Sequence, residues 1–288
     1  MKAVLKHEFS SIFSGMTGYV FGAFLLLFCG LFTNLYNLQS LLVNFEAPLS
    51  QMTLVFLIAV PILTMRIIAE ERRSKTDQLL YALPITMTQV VLGKYFALLM
   101  TLLLPTAVMA LYPCLLSSYG NVSLVTAFNA LLGFFLLGAA LLSIGLFISS
   151  ITESQAVAAG VCFAVMLLNY FLTTLAGFVT TLPMASYVAY AVVLLCGVGI
   201  FWYMTKNNFV SLIACTVTQA GLLCWYLLDE AAFSNSFPEF IGELSLFERF
   251  YVFINGVCDL TGVVYFVSVI TFFLYLTVQS MEKRRWSE

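Results

Sequence analysis

Eight apolar windows, each about the 20 residues a helix needs to cross a bilayer, run through this chain with charge confined to their borders. They lie near 17–36, 50–68, 87–112, 123–150, 155–180, 185–204, 209–228 and 260–280. With 62% hydrophobic and 9% charged residues and a mean hydropathy of +1.02, the composition leaves no room for a soluble globular domain. The expectation is an all-α polytopic membrane protein of about eight transmembrane helices, with residues 1–288 forming a single transmembrane domain. Only Lys206-Asn207-Asn208 separates the windows at 185–204 and 209–228, so that pair reads either as two full spans or as one broken segment.

Basic residues collect on the cytoplasmic side of a membrane, whereas acids contribute little to orientation. With the N-terminus inside and eight spans threaded, Lys2, Lys6, the Arg66 to Lys94 segment, Lys206, Lys283, Arg284 and Arg285 all fall in the cytoplasm. Arg249 alone falls outside, so both termini are expected inside. Residues 2–16 read as an interfacial helix, with Val4, Leu5, Phe9, Ile12, Phe13 and Met16 on one face and Lys2, Lys6 and Ser10 opposite. The first span is too long for a signal peptide and no small-residue cleavage site follows it, so it is expected to be retained.

The chemistry is sparse. His7 is the lone histidine, and the seven cysteines are scattered without a CxxC pair, which argues against metal sites, haem and a His-based triad. No carboxylate or base lies deep in a span, which argues against proton-coupled transport and, less strongly, against an ion channel. A Walker A motif is absent, since Gly93-Lys94 lacks both the upstream glycine and the following hydroxyl. If ATP drives this chain, another chain binds it.

Charge concentrates instead in one elbow, residues 66–86. Glu70, Glu71 and Asp77 interleave with Arg72, Arg73 and Lys75, and Arg66–Glu70, Glu71–Lys75 and Arg73–Asp77 are i,i+4 pairs worth about 0.2–0.5 kcal/mol each on an exposed helix. Ser74 or Thr76 can cap a second short helix carrying Leu79, Leu80, Tyr81 and Leu83, which Pro84 ends. Thr86-Met87-Thr88-Gln89 forms a capping box for the next span, and Lys94 is expected to snorkel to the inner surface. A loop that only set topology would need bases alone; equal numbers of acids and bases on a broken helix suit a surface that docks another protein.

The stretch PILTMRIIAEERRSKTDQLLYALPITMTQVVLGKYFA resembles the segment after the second span of ABC-2 type permeases, particularly their GldF-like branch. Ile151-Thr152-Glu153-Ser154-Gln155 resembles that branch's turn between spans four and five, and residues 247–286 resemble its last loop, last span and closing basic cluster. Lys75 departs from the pattern, because many relatives carry Gly before the Thr.

The resemblance implies a permease without catalytic residues, working as a homodimer or heterodimer with a second permease in an exporter. Cytosolic ATPase subunits, which bind ATP and Mg, would dock on its coupling helices. Carried over by position, Glu70, Glu71, Arg72, Arg73, Lys75, Thr76 and Asp77 form the first contact, and Thr152, Glu153, Ser154 and Gln155 the second. Spans one and five would face the dimer axis, which makes Asn34, Asn169, Tyr170 and Thr173 candidates for a cavity lining, with plain interhelical hydrogen bonding the competing expectation. The setting implied is a bacterial plasma membrane, with no nucleic acid partner. The different class held open is a non-transporting scaffold or sensor whose elbow recruits a cytosolic protein. The outer loop 229–259, with Phe233, Phe237, Phe240, Phe247 and Phe250 among its acids, is expected to form short interfacial helices anchored by aromatics at headgroup level.

Overall fold

A computed structural model describes residues 2–41, 44–76, 86–178, 182–205, 208–229 and 231–287. Thirteen α-helices occur among the described residues, and these contain no strand. An apolar chain has no other simple way to satisfy its backbone polar groups within one segment in lipid. Seven helices are long and apolar enough to cross a membrane. The eighth expected window forms a helix over Pro183–Thr205, of which Pro183–Gly199 is the described apolar stretch.

The chain gathers into two compact units, Met1–Leu168 with Arg249–Glu288, and Asn169–Glu248. The first unit contains α1 (Lys2–Ser14), α2 (Thr17–Thr33), α3 (Glu46–Thr64), α4 (Ala69–Arg73), α5 (Met87–Met109), α6 (Leu111–Leu116), α7 (Leu124–Ile151), the first part of α8 (Gln155–Gly177), and α13 (Leu260–Ser287). At its centre α7 packs against α3, α5 and α13, and α3 and α7 are the most buried of the spans. Lipid tails compete with apolar side chains, so close contact rather than hydrophobicity holds such helices together. Gly145 of α7 shows how: a Cβ there would collide with the Oγ1, Cβ and Cγ2 atoms of Thr64, so its absence lets α3 come up against α7.

The second unit holds the end of α8, α9 (Pro183–Thr205), α10 (Asn208–Leu228), a 3-10 turn at Ala231–Phe233, α11 (Ser236–Leu244) and the first residues of α12 (Leu246–Ile254). Here Phe233 is buried among Tyr187, Tyr190, Trp225 and Tyr226, and Tyr190 stacks edge-on to Phe237 at 5.0 Å. The outer loop is thus built from short helices, as its sequence suggests, but Phe233, Phe237, Phe247 and Phe250 are buried in protein, leaving Phe240 as the exposed one.

The N-terminal helix forms over Lys2–Ser14. Its apolar face is packed on α5 of the same chain, where Gly93 has no side chain to block it: a Cβ on Gly93 would lie 2.9 Å from Val4 Cγ1 and 3.0 Å from Val4 Cβ. Ile12 is buried, whereas Met16 is exposed at the joint with α2, in the left-handed region with φ 62°.

Candidate coupling site

The elbow begins where α3 stops being regular. Met65–Ile68 forms turns, and α4 then runs for five residues. So short a helix cannot satisfy its own first N–H groups. Ser149, in the last turn of α7, does it from outside: its hydroxyl oxygen accepts from the N–H groups of Ile68 (3.2 Å) and Ala69 (3.1 Å), and it donates to the Met65 carbonyl at 3.5 Å.

The other end closes on itself. The Lys75 N–H donates to the Arg72 carbonyl (3.1 Å) and the Thr76 N–H to the Glu71 carbonyl (3.0 Å), the bond pair of a Schellman motif with Ser74 as the last half-helical residue. Such a motif places the following residue in the left-handed region, and Lys75 has φ 57°. The departure from Gly noted in the sequence therefore falls on the one elbow residue, among those described, whose backbone favours Gly. The Ser74 hydroxyl donates to the Glu70 carbonyl at 2.8 Å and the Thr76 hydroxyl to that of Glu71 at 3.3 Å, so both finish α4. The second elbow helix, Asp77 and the Arg73–Asp77 pair lie outside the described residues. Beyond them Thr86 caps α5, its hydroxyl accepting from the Gln89 N–H at 3.4 Å.

The elbow's charges divide in two. Outward go Glu70, in a 3.2 Å pair with Arg66, and Arg73, Lys75 and Thr76, all exposed. Inward go Arg72, which is buried, and Glu71. Glu71 meets Lys94, and this is the largest departure from the sequence-based expectation. Lys94 does not snorkel. Its side chain is 0% exposed, and its ammonium donates to Glu71 Oε1 at 2.6 Å, to Glu8 Oε1 of α1 at 2.8 Å and to the Ile67 carbonyl at 3.2 Å. An ammonium has three donors, and all three are used. Glu8 went unremarked in the sequence although it shares the buried face of α1 with Val4 and Ile12, at i, i+4 and i+8.

The second expected contact lies alongside. After α7 the chain extends at Thr152, whose hydroxyl donates to the Ile148 carbonyl at 3.1 Å, and α8 starts with the Ser154 carbonyl accepting from the Ala158 N–H. Glu153 is exposed and pairs at 3.0 Å with Arg284 of α13, while Ser154 is exposed and Gln155 half-buried. Ser280 of α13 donates to the Ser150 carbonyl at 3.4 Å. The last turn of α7 therefore fastens both the start of α4, through Ser149, and the end of α13.

The residues expected to line a cavity lie on two elements, the turn after α2 and α8. Asn34 is exposed, in a π-helical turn that ends α2. Asn169 is committed to the local backbone: its Oδ1 accepts from the Leu246 N–H at 3.1 Å, at the start of α12. Tyr170 stacks edge-on to Phe247 at 5.2 Å. Thr173 lies on α8, with its side chain outside the described residues. Asn37, Asn129 and Gln219 each donate to a backbone carbonyl, those of Asn44, Phe253 and Ala191. No group of three His, Cys, Asp or Glu among the described residues is placed to hold a metal ion.

A sequence profile described as ABC-2 family transporter protein matches residues 3–221, most of the chain and every element of the elbow. The chain belongs to the ABC-2 transporter family. It is a multi-pass membrane protein and a permease component of an ABC transporter. Comparison with curated proteins returns no match. In an ABC-2 permease ATP is typically hydrolysed on a separate subunit.

Proposed function

We propose that this chain is a GldF-like permease subunit of an ATP-driven exporter in a bacterial plasma membrane, with both termini cytoplasmic. Two permease chains form the pathway, and cytosolic ATPase subunits carrying ATP and Mg dock on α4 and on the α7–α8 turn. The observation that carries this reading is the elbow's construction. A helix of only five residues is capped by Ser149 at its start and by a Schellman motif at its end, and it presents Glu70, Arg73, Lys75 and Thr76 outward. Both proposed contact segments are fastened to the last turn of α7, so a push on either reaches the buried centre of the first unit as a rigid-body motion. The three motifs quoted from the sequence support the GldF-like branch. The second permease has room on α8, where Ala156, Gly160 and Ala164 are exposed and a Cβ on Gly160 would meet nothing within 4 Å. Asn34 is the exposed polar residue proposed to line the pathway, whereas Asn169 is already engaged.

The test is purification in mild detergent with a candidate ATPase that carries a Walker A motif. Stable association and permease-stimulated hydrolysis are expected. A permease that repeatedly emerges alone, with no stimulation by any candidate, overturns the transporter reading in favour of a scaffold.

A further inference from the structure

A side chain with no exposed surface and a full charge is costly to keep, and apolar substitutes of similar volume often cost nothing. Lys94 is such a side chain. What it does there is set by its partners, which come from three separate places in the chain: α1, the turn leading into α4, and α4 itself. Between α1 and the described part of the elbow the packing is open. A cavity of about 210 Å³ opens there, with His7, Glu8 and Ser11 of α1 on one side and Arg66, Glu70 and Glu71 on the other. The Lys94 ammonium joins the two sides by pairing with Glu8 and Glu71, which line that cavity. Below it, α1 is held to α5 one residue earlier by the contact of Val4 with Gly93.

From this geometry we infer that Lys94 is a positioning residue: it ties α1, the elbow and α5 into one body, so that the N-terminal helix moves with the elbow. Two carboxylates and one carbonyl fix the ammonium from three directions, which a single ion pair or an apolar contact does not. Loss of the cation leaves two carboxylates facing each other across the cavity, and α1 and α4 then part. The joint itself is a property of the chain alone; its use in coupling rests on the proposed docking of ATPase subunits.

Two measurements on the full chain in lipid nanodiscs test this separately. In a chain whose native cysteines are replaced, spin labels at Lys6→Cys and Arg73→Cys, both at exposed positions, report the distance between α1 and the elbow. A narrow distribution is expected, broadened by Lys94→Met and restored towards the original by Lys94→Arg; equal widths in the parent and Lys94→Met overturn the inference. The second measurement uses Glu8→Leu/Glu71→Leu/Lys94→Met, which removes the three charges of the joint together. With the ATPase bound, this variant is expected to keep the KM for ATP and lose at least about 5-fold of the permease-stimulated kcat, the lower end for coupled sites. Unchanged kcat overturns the coupling role, because mere filling of space would be satisfied by the apolar side chains. If no ATPase binds even the parent chain, the functional reading fails while the spin-label distances still decide the joint.

Discussion

Reversing one charge or its neighbour in Ala69-Glu70-Glu71-Arg72-Arg73 is expected to have sharply different effects. Glu70 pairs with Arg66 at 3.2 Å, but the two side chains are 50% and 42% exposed, so the bond is screened and worth about 0.2–1 kcal/mol. Glu70→Lys costs no more than that. Glu71 lies 2.6 Å from an ammonium with no exposed surface. Removing one partner of a buried pair costs about 3–5 kcal/mol, and here the lower end applies because Lys94 keeps Glu8 at 2.8 Å and the Ile67 carbonyl. Glu71→Lys is thus expected to lower stability by about 3 kcal/mol, roughly a hundredfold in the equilibrium constant. The assay is the temperature at which the monodisperse size-exclusion peak of the detergent-solubilised chain is lost after heating. Glu70→Lys should stay with the parent and Glu71→Lys should fall well below it. Equal midpoints for the two variants would refute the division of the motif into an outward and an inward half. A docking test that reversed both residues would confuse misfolding with lost association, so Glu70→Lys with Arg73→Glu is the appropriate pair.

Lys75→Gly should raise the same midpoint, by about 1 kcal/mol, since it relieves a left-handed backbone at φ 57°, and a lower midpoint would contradict the Schellman cap. Gly93→Ala should cost about 1–3 kcal/mol and speed amide exchange across residues 2–14, because its Cβ meets Val4 at 2.9–3.0 Å; unchanged exchange would show that α1 is held elsewhere. Asp259 is half-buried before α13, and hydrogen bonds from the Thr261 N–H and hydroxyl and the Gly262 N–H, together with the nearby Arg249 charge, hold its carboxyl below the ordinary 3.8. A depressed folded-state pKa means its contribution is complete above 3.8 and is lost as pH falls through the lower, folded value, so amide protection at 261–262 should weaken in that window in the parent and show no such step in Asp259→Asn.

The spans were legible because a bilayer demands about 20 apolar residues and the charges mark their borders. The Thr86 cap and the Arg66–Glu70 pair were legible because their partners lie three and four residues away. Lys94 was not, because its acids lie 86 and 23 residues distant and nothing local distinguishes a lysine that snorkels from one that is buried. The hints were Glu8 on the apolar face of α1 and a Gly beside Lys94, both of which need the helix pairing to be interpreted. Asn169 shows the same limit: its polarity is visible in the sequence, but the Leu246 N–H from which it accepts is not. The phenylalanines of residues 229–259 read as membrane anchors because sequence cannot tell a lipid-facing ring from one buried among other rings.

The central claim is that a cytosolic ATPase sits on the outward half of the elbow. The most direct measurement places a photo-crosslinking amino acid at Lys75, which is exposed and bonded into the chain only through its backbone cap, and a second at Tyr119, which is exposed at the other end of α5 and α6. The account predicts a crosslink to the ATPase subunit from position 75 and none from position 119. The absence of a crosslink at 75 while the two proteins co-purify would contradict it.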